Sequence, residues 1–201
     1  MENVVVSIFD IESEAFQAFS ELKQFGQTEN TKLAQASIVK AENGVVNVKD
    51  SFDLMDSLGD DYFEGGLIGS LIGILGGPLG VLFGFAAGGA IGASVGSDKE
   101  LANSVLITTV SNKLTNGEVA IIALVQENDE SVLNAIFEKY QVDIARWDVA
   151  TVAAEIESAL KIQEDLEHQA KARLIADKKE ARREKFDKLK ANIKEKFSKK
   201  N

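Results

Sequence analysis

The sequence predicts an α+β protein: a ferredoxin-like domain of the order βαββ(insert)αβαβ, an inserted glycine-zipper helical hairpin, and a long C-terminal helix. Segments with the spacing of strands and helices alternate in residues 1–64 and again in residues 98–150. Between them, residues 65–97 are rich in glycine and carry no charge. Residues 151–201 contain neither glycine nor proline, so nothing interrupts a helix there. The chain therefore divides into a split α/β domain, a hairpin and a helical tail.

The first half of the domain has the pattern of a strand, a helix and a β-hairpin. Residues 4–9 are mostly β-branched, and Asp10 is placed to cap the amphipathic helix that follows. Asn43-Gly44 lies between residues 32–41 and 45–48, which favour strands. Asn-Gly between two such runs is the strongest short signal for a hairpin, because both residues accept a positive φ.

The second half repeats a helix and a strand twice. Residues 99–114 and 129–140 have helical patterns, and residues 142–149 form a last strand that carries Trp147. Residues 119–125 are a continuous apolar run, which is typical of a strand buried on both faces. We expect these elements to form helices on one face of a mainly antiparallel sheet.

The insert is a double glycine zipper. Its 12 glycines cost about 12 kcal/mol as isolated helix, at about 1 kcal/mol each relative to alanine, so close contact with another helix must offset them. Glycine every fourth residue leaves a bare backbone groove along one helix face. The predicted oligomerisation and membrane residues are Gly65, Gly69, Gly73, Gly77, Pro78, Gly80, Gly84, Gly88, Gly92 and Gly96.

The helix that fills this groove could lie in a membrane or in the core of a soluble assembly. Both ends of an insert must return to the same sheet, which predicts a hairpin that turns at residues 76–78. Residues 65–77 are shorter than the roughly 20 needed to cross a bilayer, so a hairpin that dips into one leaflet fits better than two full spans. The alternative is a soluble homo-oligomeric structural assembly with the hairpins buried in its core. Phosphate binding is not expected, because the glycines lack a Walker or dinucleotide spacing.

The charge is unevenly distributed along the chain. Residues 171–200 contain 13 Lys/Arg and 5 Asp/Glu, or +8, whereas the net charge of the whole chain is −10, which leaves −18 for the remainder. Spacings of three and four residues predict that four apolar tail residues share one helix face, as on a helix that lies on anionic lipid. A coiled coil, a partner-binding helix or a solvated arm remain alternatives. These four residues are Phe186, Leu189, Ile193 and Phe197.

No constellation for catalysis, cofactor binding or metal binding is evident. The chain has no cysteine, and its one histidine, His168, lies among polar residues of the predicted helix. The acidic residues before the insert, which begin with Asp53, lack EF-hand spacing. Nucleic acid is not an expected partner, since the acidic body would repel a polyanion. The start of the chain lacks the pattern of a signal peptide, so we expect a cytoplasmic protein associated with the inner face of the cell membrane.

The chain also resembles a known group of proteins. The strand Val-Val-Val-Ser-Ile-Phe-Asp and the glycine core Gly-Gly-Leu-Ile-Gly … Gly-Pro-Leu-Gly … Gly-Gly-Ala-Ile-Gly are similar to an uncharacterised bacterial family of glycine-zipper-containing α/β proteins. Its members are labelled membrane proteins, stress-related proteins or, loosely, histidine kinases. The resemblance covers about residues 3–149 and implies an architecture and a membrane link, with no catalytic residues to carry over. The sequence thus predicts a non-enzymatic, self-assembling membrane-associated protein.

Overall fold

The computed structural model describes residues 1–25, 28–54, 66–80 and 105–198. Its elements follow the predicted order of strands and helices wherever they are described. In chain order they are β1 (Glu2–Phe9), α1 (Glu12–Lys23), β2 (Thr31–Glu42), β3 (Val45–Asp53), α2 (Leu67–Gly76), α3 (Pro78–Gly80), α4 (Val105–Lys113), β4 (Val119–Glu127), α5 (Ser131–Phe137) with a 3-10 turn (Glu138–Tyr140), β5 (Ile144–Asp148) and α6 (Val149–Ser198).

The strands form one antiparallel sheet in the order β3-β2-β4-β1-β5. β4 lies between β1 and β2 and is antiparallel to both, with Val5 opposite Ala123 and Ile38 opposite Ile121. β2 and β3 are joined by the predicted hairpin, in which Asn43 and Gly44 have φ values of 55° and 77°. Two positive φ values match a two-residue hairpin turn whose twist suits the flanking strands. The α+β class and the β-hairpin of β2 and β3 are therefore confirmed.

One face of the sheet is covered by α1 and α5. Phe9 of β1 lies between these helices, and its ring centroid is 6.2 Å from that of Phe137. Ala15, Phe19 and Leu22 of α1 are at most 1% exposed, because they recur on one side of an amphipathic helix. The predicted cap of α1 is wrong. Ile11 occupies the N-cap position, and no side chain caps this helix.

The opposite face of the sheet is also covered. Val4 and Val6 alternate with the residues of the first core and are still only 0% and 3% exposed. α2 contacts β2, β3 and β4, and the buried residues of α2 and α4 lie outside the first core. We expected helices on one face only. The described helices lie on both faces, because β4 is apolar along both of its sides and seven of its nine residues are buried.

α2 therefore belongs to the same compact unit as the sheet, although it lies within the glycine-rich insert. Leu71, Ile74 and Leu75 of α2 are completely buried. This unit comprises residues 1–160, and it includes the start of α6, where Val152 is 0% exposed. Residues 161–201 form a second unit, in which α6 continues and carries exposed ion pairs between residues four apart. Among the described residues, no helix is both long and apolar enough to cross a membrane.

Shortening Leu71 tests whether α2 belongs to the core. We expect Leu71→Ala to lower the free energy of unfolding by about 2–5 kcal/mol, because it leaves a cavity where the side chain is fully buried. Leu160→Ala is the control, since Leu160 is 47% exposed and its loss should change stability by about 0.5 kcal/mol or less. Urea denaturation followed by circular dichroism measures both. Equal effects of the two substitutions would show that α2 does not support the sheet.

Candidate functional site

α2 presents glycine to its outer side while its apolar residues pack inward. Ile68, Leu71 and Leu75 are buried, and Gly73 is exposed. Apart from its chain neighbours and the adjacent backbone of α2, no described atom would lie within 4 Å of a Cβ atom on Gly73. Gly69, one turn earlier, is half-buried. The packing of α2 in its own domain therefore leaves the backbone at Gly73 open on the outer surface of the helix.

Other glycines of the insert are required inside the domain. A Cβ on Gly80 would lie 1.8 Å from the carbonyl oxygen of Leu75, and one on Gly76 would lie 2.8 Å from that of Val46. Neither distance is compatible with a side chain, and both contacts are with backbone atoms that cannot move aside cheaply. α2 ends at Gly76 with Gly77 as its C-cap, and Pro78 begins the next turn, so the predicted helix break is present.

The structure describes only some of the remaining predicted site residues. The helical state of the tail is confirmed as far as Ser198, so Phe186, Leu189, Ile193 and Phe197 all lie on α6. Their role on a membrane surface stays a prediction. Five zipper positions, four of them in the second arm of the predicted hairpin, lie outside the described residues: Gly65, Gly84, Gly88, Gly92 and Gly96.

Glu155 of α6 caps α4 from a distant part of the sequence. Its carboxylate accepts hydrogen bonds from the backbone N–H of Leu106 at 3.0 Å and of Ile107 at 3.3 Å. Glu155 is 9% exposed, so these bonds are shielded from water. The first N–H groups of a helix have no partner within it, and they attract negative charge. The carboxylate thus fixes the start of α6 to the point where the insert re-enters the domain.

A buried ion pair joins β4 to β5. The Nε of Arg146 donates to Oε1 of Glu127 at 2.7 Å, and the side chain of Glu127 is 1% exposed. Arg146 also donates to Oδ1 of Asn134 at 2.8 Å, and Asn3 donates to Glu127 at 3.1 Å. Sharing these donors satisfies a carboxylate that would be costly to bury alone. The cluster connects elements of the sheet and α5.

A third polar cluster joins α1 to the 3-10 turn. Lys139 and the hydroxyl of Tyr140 each donate to Glu21 at 2.7 Å. The hydrogen bond from Lys139 and then that from Tyr140 lower the pKa of Glu21, whereas burial and then the bond to Glu21 raise the pKa of Tyr140 to about 12. Stability from Glu21 is therefore lost as the pH falls through its depressed pKa, and stability from Tyr140 is lost as the pH rises through about 12.

The polar clusters described above join structural elements. In the part of the chain that the structure describes, no group of three or more His, Asp and Glu side chains could hold a metal ion. The side chain of His168 is 74% exposed, and its Nε2 lies 3.8 Å from Glu164 one turn away. The sequence analysis missed Glu155. Its signal is its place between Val152 and Ile156, on the side of α6 that faces the domain.

Comparison with known proteins shows a match to a protein family. Residues 63–167 match the model of a family described as protein of unknown function (DUF1269), which is just over half of the 201 residues. The match includes α2, α4 and the part of α6 that carries Glu155. No curated protein and no solved structure shows a significant match to the chain.

Removing the carboxylate of Glu155 should loosen α4. We expect Glu155→Ala to lower the free energy of unfolding by about 1–3 kcal/mol, since two buried N–H groups lose their acceptor. Glu155→Gln should cost less, because an amide oxygen still accepts a hydrogen bond although the charge is lost. The exposed neighbour Glu157→Ala is the matched control. Hydrogen exchange at Leu106 and Ile107 should accelerate in Glu155→Ala; unchanged protection there would contradict the capping role.

Proposed function

The chain belongs to the DUF1269 family of proteins of unknown function, and we propose that it is a non-enzymatic protein that assembles with copies of itself through its glycine-rich hairpin and attaches to the inner face of the cell membrane. A role in stress response or in organising the lipid surface would follow from such an assembly.

The orientation of α2 carries this proposal. A glycine on the inner face of α2 would serve the packing of its own domain, as Gly76 does against Val46. Gly73 is on the outer face, where no described atom approaches it. Glycine costs about 1 kcal/mol relative to alanine in a helix interior, so an open glycine there weakens the helix without a benefit inside the described domain. A second helix that packs closely on Gly73 would supply that benefit.

The charge of the tail supports the membrane part of the proposal. Residues 171–200 carry +8, and residues 171–198 lie on a helix that includes Phe186, Leu189, Ile193 and Phe197. Each basic residue near an anionic lipid surface contributes about 1 kcal/mol of attraction, and apolar residues on the same helix add burial in the interface. The rest of the chain, at −18, would be repelled from such a surface, which leaves the tail as the part that binds.

The alternative is a soluble homo-oligomeric structural assembly in which the hairpins form a protected core. α2 favours this reading in one respect. It has 10 residues, and it already buries Leu71, Ile74 and Leu75 in its own unit, which leaves few apolar side chains for lipid. In both readings the glycines are the contact between copies, and the two differ in what surrounds that contact.

We also propose that the domain has a ferredoxin-like topology. The order β5-β1-β4-β2 is that of a ferredoxin-like sheet in which β1 and β2 are parallel and separated by one antiparallel strand, with β3 added at the edge. The insert between β3 and α4 then forms a helical hairpin, of which α2 is part of the first arm.

Substitutions at Gly73 test the assembly surface. If copies pack on Gly73, Gly73→Leu should lower the oligomer mass measured by light scattering, since overpacking costs about 1–3 kcal/mol per contact. Ala153→Leu is the control, because Ala153 is a small, exposed residue on another helix of the same unit. If Gly73 only faces solvent, Gly73→Ala should instead raise stability by about 0.5–1 kcal/mol. That gain, with an unchanged oligomer mass, would remove Gly73 from the interface.

Two variants of the tail separate lipid binding from assembly. Deleting residues 171–201 should lower flotation with anionic vesicles several-fold, scarcely change flotation with neutral vesicles, and leave oligomer size unchanged. Replacing Phe186, Leu189, Ile193 and Phe197 with glutamine keeps the charge of +8 and should remove only the apolar part of the binding. Equal flotation of the truncated and intact chains, with a smaller oligomer in the absence of lipid, would favour the soluble assembly.

A further inference from the structure

A groove of about 400 Å³ lies on the second face of the sheet, between α4 and the edge strand β5. Its floor is apolar and consists of Val6 and Ile8 of β1 and Ala145 of β5. Thr109 and Val110 of α4 form one wall. Small-molecule sites commonly enclose about 300–1,000 Å³, so the groove has room for a small ligand.

The two ends of the groove differ in chemistry. Trp147 lies opposite Val4, and Ala145 lies opposite Val6, so the same antiparallel register places Asp143 beside Ile8. Trp147 and Asp143 are four residues apart along the chain, or about 13 Å at 3.3 Å per residue. One end is therefore aromatic, and the other carries a carboxylate.

Lys113 stands at the same end as Asp143. It is the last residue of α4, and the chain then enters β4, where Val119 lies opposite Phe9. Both charged residues line the groove and are exposed, and neither forms an ion pair or a side-chain hydrogen bond with another described residue. A cation and an anion thus flank one end of an apolar groove, each with its charge available to a ligand.

We propose that this groove binds a free α-amino acid with a large apolar side chain. The ligand carboxylate pairs with Nζ of Lys113, and its ammonium group pairs with the carboxylate of Asp143. The side chain then lies along Val6 and Ala145 towards Trp147. A ligand with a single charge would pair with only one of the two protein charges, whereas a zwitterion pairs with both, so the two residues together favour a zwitterion.

The size of the groove limits which ligand side chains fit it well. An aromatic or long aliphatic side chain reaches from the charged end towards the indole and gains both apolar burial and ring contact. A small amino acid such as glycine would leave the floor and Trp147 in water. Exposed charge pairs contribute about 0.2–1 kcal/mol each, so the charges select the ligand class and the apolar contact provides most of the affinity.

The experiment uses L-phenylalanine and the full chain. Trp147 is the only tryptophan, so its fluorescence reports on this groove, and isothermal titration calorimetry gives the affinity. We expect L-phenylalanine to bind more tightly than phenethylamine or 3-phenylpropionate, each of which lacks one charge, and glycine to give no signal. Lys113→Met and Asp143→Asn should each weaken L-phenylalanine binding about three- to fivefold. Lys32→Met, at an exposed lysine outside the groove, should have no effect.

Three results would contradict the proposal that this groove binds an apolar amino acid. Absence of binding up to the solubility limit of L-phenylalanine would overturn the proposal, as would equal affinities for the zwitterion and its two singly charged analogues. Retention of full affinity in both Lys113→Met and Asp143→Asn, with native circular dichroism spectra, would place the ligand elsewhere. Because the groove does not include the glycines or the tail, these results are independent of whether the protein assembles or binds lipid.

Discussion

The central strand of the sheet imposes the main constraint on this structure. β4 is apolar on both sides, and water must be excluded from each. α1 and α5 cover one side, while α2 and α4 are needed on the other. β4 follows α4 along the chain, so the segment that leaves the sheet after β3 supplies the helices that cover this side. The glycine-rich insert is thus partly a structural cover and cannot be regarded only as an attachment.

This constraint divides the glycines between two tasks. Gly76 and Gly80 allow backbone segments to approach more closely than any side chain permits, within one chain. Gly73 lies nearly one turn before Gly76 on α2 and has no such contact with another described element. Glycine therefore solves an internal packing problem at some positions and leaves a bare surface at another. Gly73 and Gly80 both belong to the repeating pattern, but a Cβ atom would meet no other described element at Gly73 and would clash with the backbone of Leu75 at Gly80.

The buried carboxylates are used to hold elements together. Glu127 is satisfied by Arg146 and Asn3, and Glu155 by the free N–H groups of α4. Burying a charge without partners would be costly, and these partners come from segments that are distant in sequence. Such contacts tie the first turns of α6 to the body of the fold. The charges that remain available to bind a ligand or a partner lie elsewhere. They are Lys113 and Asp143 in the groove beside Trp147, and the basic residues of the tail.

Local patterns were sufficient for the order of elements. Asn43-Gly44 determined a hairpin through its backbone preferences, and the apolar run of β4 indicated burial on both faces. The same run was not enough to show which segments provide the cover, because α2 has the same apolar composition whether it faces lipid, another copy or its own sheet. Nor could spacing reveal that Glu155 meets α4 or that Lys113 and Asp143 share a groove. The residues of each pair are 30 or more positions apart in sequence. Their proximity therefore depends on strand register and helix orientation, which only tertiary packing decides.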